Sequence, residues 1–130
     1  MKSIVFFLYN LGLAGAERVT ISLANYCSKK GMNVIILTVA GNELLFDKIN
    51  PEVEVISLNK KKIKHVILPL IRFVKTHKVD FFISNIWPLT LISLVTRFTS
   101  FKSKLIFIEH GILSEEYKNR SVLFNFFQNL

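Results

Sequence analysis

Gly12 and Gly15 lie three residues apart in the stretch LYNLGLAGAERVTISLANY, residues 8–26, between an apolar run and a helical pattern. A helix start carries unpaired N–H groups and partial positive charge. Glycine there lets the backbone come close to a phosphate. The same residues also suit a plain strand-to-helix turn, and Ala14-Gly15-Ala16 after Lys2 and Ile4–Leu8 imitates a weak secretory cleavage site. The cleavage reading is disfavoured: one lysine is a poor basic region, Tyr9 and Asn10 interrupt the apolar run, and cleavage would remove the first strand. Neither the G-x-G-x-x-G fingerprint nor a Gly-Lys-Ser/Thr phosphate loop is present. Glu17 and Arg18 follow the glycines, Asn85 follows a later apolar run, and His110-Gly111 follows another.

Other chemistries find little support. His65, His77 and His110 are far apart in sequence and fall on different elements, so no metal site is expected. Asp47 and Asp80 form no Asp-x-Asp pair. No Ser-His-Asp arrangement can be assigned, because Asp80 stands early in its strand, away from the end where Asn85 lies. Cys27, the one cysteine, excludes an intrachain disulfide and fits a reducing compartment. Its spacing from Val19 and Leu23 predicts a place on the inner face of a helix, as a small hydrophobe.

The elements that must hold these residues alternate between strand and helix. Ser3–Tyr9, Asn33–Val39, Val53–Leu58, Val79–Ser84 and Lys104–Glu109 are short apolar runs suited to strands of a buried parallel sheet. The first helix is expected to turn Ala16, Val19, Leu23, Tyr26 and Cys27 inward and to end at Gly31. Ile63, Val66, Ile67, Leu70, Ile71 and Val74 mark a second helix, which kinks at Pro69 or has its regular part begin near it. Pro88 opens a third helix and Ser114-Glu115-Glu116 a last one. The 130 residues suffice for one domain. This βαβ alternation predicts an α/β fold: a Rossmann-like parallel sheet with helices on both faces and strand order 3-2-1-4-5. Strands one and four are then neighbours. The loops 10–15 and 85–87 flank the crevice at their ends, and His110-Gly111 lies on the same rim.

LGLAGAERVTISLANYCSKKGMNVIILT resembles the opening of family 4 glycosyltransferases, which are retaining enzymes of the GT-B architecture. HKVDFFISN is similar to the family's fourth strand, and KLIFIEHGI to its fifth strand with a His-Gly pair. The resemblance implies that the chain is the N-terminal, acceptor-binding half of such an enzyme. It places the family's glycine pair on Ala14 and Gly15, next to the donor diphosphate or the sugar. It matches Glu17 and Arg18 to the family's Glu-Arg, which is either a ligand contact or a helix-surface pair. It sets His110 near the transferred sugar, as the catalytic candidate. Gly12, Asn85 and Gly111 complete the expected donor and substrate contacts. No cofactor is implied, since the nucleotide sugar is a substrate; the acceptor would be a glycan or a lipid-linked glycan.

A GT-B enzyme needs a second, donor-binding domain with two glutamates separated by seven residues, and residues 1–130 hold no such pair of domains. The Phe-rich end, Phe124 to Leu130, is apolar nearly all round. The expectation is therefore an incomplete domain that works with a donor domain or partner chain. The alternative is a non-catalytic Rossmann-like binding module or a gene remnant.

There are 17 basic and 9 acidic side chains, a formal net charge of +8. Ten of the basic residues lie between Lys60 and Lys104, where Asp80 is the one acid. This is either a solvated basic face or a peripheral contact with an anionic membrane or lipid diphosphate acceptor. Nucleic acid is not expected, because no aromatic stacking series accompanies the lysines. No run of about 18 apolar residues suggests a membrane span. The expected location is cytoplasmic, peripheral at the inner membrane face.

Overall fold

The computed structural model describes residues 1–41, 45–85, 95 and 102–108. The expected helices after Pro88 and Ser114 lie outside them. Along the chain come β1 (Ser3–Leu8), α1 (Gly15–Lys29), β2 (Asn33–Thr38), β3 (Glu54–Ser57), α2 (Ile67–Thr76), β4 (Phe81–Ser84) and β5 (Lys104–Phe107). Single 3-10 turns at Phe46–Lys48 and Ile63–His65 precede β3 and α2. All strand pairs are parallel, in the order β3-β2-β1-β4-β5. In register, Ile4 lies opposite both Val34 and Phe81.

β1 is covered on both faces, as its unbroken apolar run requires. The side chains of Val5 and Phe7 pack with Ile35, Leu37 and Phe82 under α2, through Val66, Leu70 and Phe73. Ile4, Phe6 and Leu8 pack with Val34, Ile36 and Ile83 under α1, through Ile21 and Ala24. Helices thus cover both faces of a Rossmann-like sheet. Each fully buried Phe or Leu contributes about 1.5–3 kcal/mol of burial energy. The Phe7 and Phe82 rings meet tilted, with centroids 5.8 Å apart.

The inward face of α1 differs from the expected one. Thr20, Ile21, Ala24 and Ser28 are buried, whereas Val19 (49%), Leu23 (39%) and Tyr26 (59%) are exposed. Small residues at 20, 24 and 28 let the helix axis approach the sheet closely, and Ile21 with half-buried Cys27 fills the remaining gap. The hydroxyls cost little there: Thr20 Oγ1 donates to the Ala16 carbonyl at 2.9 Å. Gly31, at φ 81°, ends the helix as predicted. Its N–H donates to the Ser28 carbonyl and that of Met32 to the Cys27 carbonyl, a Schellman closure.

Of the two alternatives for Pro69, the structure takes the second. Pro69 sits in the first turn of α2, where a missing N–H breaks no helical bond. Phe73, not part of the expected stripe, is buried beside Leu70.

Candidate functional site

β1 leads to β2 through α1 on one face, and β3 leads to β4 through α2 on the other. The neighbouring strands β1 and β4 therefore bound a crevice at their C-terminal ends. Residues 9–14 form its first wall. Leu11, fully buried, roots the loop in the α1-side core, and its carbonyl accepts from the Leu45 N–H. Asn10 Oδ1 accepts the Gly12 N–H at 3.0 Å, so that amide is spent within the loop. The Gly12 N–H is therefore not free for the phosphate contact expected of it.

Ala14 is the N-cap of α1, in extended conformation, and no side chain caps the helix. A Cβ built on Gly15 would meet nothing within 4 Å. No side chain caps the first-turn N–H groups, which stand at the positive end of a 15-residue helix. Arg18 turns back, its Nε donating to the Leu13 carbonyl at 3.3 Å. It braces the loop.

Asn85 is the second wall. Its N–H continues the ladder to the Phe7 carbonyl at 3.0 Å, and its Nδ2 donates to Thr20 Oγ1 at 2.6 Å. Two acceptor atoms in this region are buried without a partner: Glu17 Oε2 and Asn85 Oδ1. Thr38 Oγ1, at the C-terminal end of β2, is a third unpartnered oxygen. A buried acceptor without a donor costs about 1–3 kcal/mol.

The structure thus gathers Gly12, Ala14, Gly15, Glu17, Arg18 and Asn85 around one end of β1 and β4. His110 and Gly111 lie outside the described residues. Thr20 and Tyr9 were not anticipated. Thr20 joins α1 to Asn85, and the Tyr9 hydroxyl donates to the Lys61 carbonyl at 2.8 Å. The lysine run 60–64 therefore begins on this same rim, since the Lys60 N–H bonds the Val39 carbonyl just past β2. A four-residue offset, Ala16 to Thr20, was the one available signal for Thr20's helical partner. Nothing in the sequence pointed to Tyr9.

Asp80 stands at the opposite edge, as expected. Ser3 donates to its Oδ2 through the backbone N–H at 2.8 Å and the hydroxyl at 3.2 Å. The Ser3 backbone bond is the main reason its carboxyl is held below the usual range, helped by the Ser3 hydroxyl, Lys2 and the N-terminus and opposed by partial desolvation. Among the described residues, no group of three His, Cys, Asp or Glu side chains is placed to hold a metal. No described helix is long and apolar enough to cross a membrane.

Compared with known proteins, the chain is similar to one from Haemophilus influenzae named an uncharacterized glycosyltransferase. The two are 38% identical over 61 residues, which make up 46% of this chain and 17% of that protein. No family model matches the chain, and no solved structure matches it.

Proposed function

We propose that this chain is the acceptor-side half of a retaining glycosyltransferase of the GT-B kind, with its donor cleft at the rim of β1 and β4. The observation that carries the reading is the open, uncapped start of α1 at Gly15, standing beside a strand-order switch. Nucleotide-sugar transfer separates a sugar from a diphosphate. First-turn N–H groups and the helix dipole would hold the negative charge that builds on the departing diphosphate. Glu17 Oε2 and Asn85 Oδ1 would take hydroxyls of the sugar or the acceptor, which replaces their missing donors. His110 would stand near the transferred sugar, by the resemblance of KLIFIEHGI. The nucleotide would be held mainly by a donor-binding domain or a partner chain. The lysine run 60–64 gives the same rim a basic border suited to a lipid-linked diphosphate acceptor, in a protein peripheral to an anionic membrane.

The test is direct. A nucleoside-diphosphate sugar added to the ¹⁵N-labelled chain should shift the amides of Gly15, Ala16 and Glu17, and Gly15→Val should remove the response. Shifts confined to residues away from the rim would overturn the reading and favour a binding module with another ligand.

A further inference from the structure

At the other end of the sheet, a strand length or roughly 15–20 Å from the rim, lies a depression of about 390 Å³. Lys2 enters it from the chain start, Lys78 from the turn before β4, and Lys102 and Lys104 from the entry to β5. Four lysines thus line the depression with one acid, Asp80, and with His77; the Lys2 ammonium lies over the Phe81 ring, 6.0 Å from its centroid. Lys48–Asp47 is the one close ion pair among the described residues, so none of the four lies within 4.0 Å of a described carboxylate, although Lys2 acts on Asp80 at longer range. Asp80 Oδ2 is already taken by the Ser3 N–H and hydroxyl, which fixes the carboxylate toward β1. The Ser103 hydroxyl is tied to the Val79 carbonyl, and the single proton of the Ser3 hydroxyl is shared between Asp80 Oδ2 at 3.2 Å and the Lys78 carbonyl at 2.9 Å. The backbone that carries these lysines is therefore held by short-range bonds between β1, β4 and β5. Like charges gathered in one concavity repel unless an anion joins them.

We propose that this depression is a second ligand site, one that binds a phosphate-bearing anion, either free in solution or carried on a lipid headgroup. Ammonium groups bind phosphate as point charges from several directions, without the planar fork that arginine would need. Val79 and Phe81 line the same concavity, so a phosphate attached to a short apolar group also fits its floor. The site is independent of the rim and stands whether or not the rim binds a nucleotide sugar.

The experiment uses the full chain and two probes. Inorganic pyrophosphate should shift the amides of Lys78, Ser103 and Lys104, with binding that weakens as salt is raised. Vesicles of phosphatidylcholine containing phosphatidic acid should co-sediment the chain, and phosphatidylcholine alone should not. Lys78→Glu with Lys104→Glu should weaken both responses by roughly tenfold or more, with the circular dichroism spectrum unchanged since both side chains are exposed. Lys48→Glu, exposed and outside the depression, should leave the shifts of Lys78, Ser103 and Lys104 intact. Pyrophosphate binding without sedimentation assigns the site to a soluble phosphate; sedimentation without pyrophosphate binding assigns it to a lipid. The proposal is overturned if neither probe binds, if neutral vesicles bind equally, if the double variant binds like the parent, or if single-stranded DNA displaces pyrophosphate at lower concentration.

Discussion

The side-chain amide of Asn85 donates to the hydroxyl of Thr20 across 65 residues of sequence, at 2.6 Å. Thr20 is 1% exposed and passes its own proton to the Ala16 carbonyl, so one hydroxyl ties the end of β4 to the first turns of α1. Thr20→Val keeps the shape and removes the acceptor, which leaves the Asn85 amide short of a partner. Urea unfolding should show a loss of about 1–3 kcal/mol. A loss no larger than that of an exposed Ser22→Ala change would mean that the bond does not join the two walls.

Gly15 and Gly12 should respond differently to an added side chain. Nothing lies within 4 Å of a Cβ at Gly15, whereas a Cβ at Gly12 meets Asn10 Oδ1 at 3.0 Å. Gly15→Val should therefore melt close to the parent, and in an enzyme assembled with a donor-binding domain it should lower sugar transfer by roughly 10²-fold. Gly12→Val should disturb the Asn10 turn and lower the melting temperature. Equal transfer by Gly15→Val and the parent would remove Gly15 from the site.

Asp80 gives the acid side of the stability profile a sign. Its folded-state pKa is depressed, chiefly by the Ser3 N–H, so its contribution is present above the unfolded value of about 3.9 and is lost as pH falls through the lower folded value. Asp80→Asn should lower the urea midpoint at neutral pH and converge with the parent in acid. A gap between the two that stays constant from neutral to acid pH would show that the charge is not what matters.

Burial pushes the Cys27 thiol pKa up. Alkylation at neutral pH should run more slowly in the folded chain than in urea, because less thiolate is present and access is partial. An equal rate in both states would contradict its half-buried place on α1.

The sheet was legible because each strand is a short apolar run and each crossover has one permitted hand; the strand order followed from those two facts. The inner face of α1 was not. Val19, Leu23 and Tyr26 form a greasier stripe than Thr20, Ala24 and Ser28, yet the smaller residues face the sheet because they allow close approach, and their hydroxyls are satisfied locally or by Asn85 and Glu52. Helical periodicity finds a stripe without saying which of two neighbouring stripes packs better. The rim loop was recognised from its glycines. Which amide stays open was not readable, since that depends on Asn10 bonding Gly12. The basic residues read as one block from Lys60 to Lys104, but the strands carry them to opposite ends of the sheet.

The central position of β1 sets the order of assembly. It precedes the other four described strands in the chain, yet Ile4 finds its second partner in Phe81, and Ser3 its bond in Asp80, 77 positions later. As the chain leaves the ribosome, β1 can pair with β2 early and must then wait, with one apolar edge bare, until β4 has emerged. Closing so long a loop is entropically costly, and topologies rich in distant pairings fold slowly. During that wait the run Ile4–Leu8 is the segment most open to pairing with another nascent copy. The strand that organises the finished sheet is thus the one most dependent on prompt synthesis of the rest.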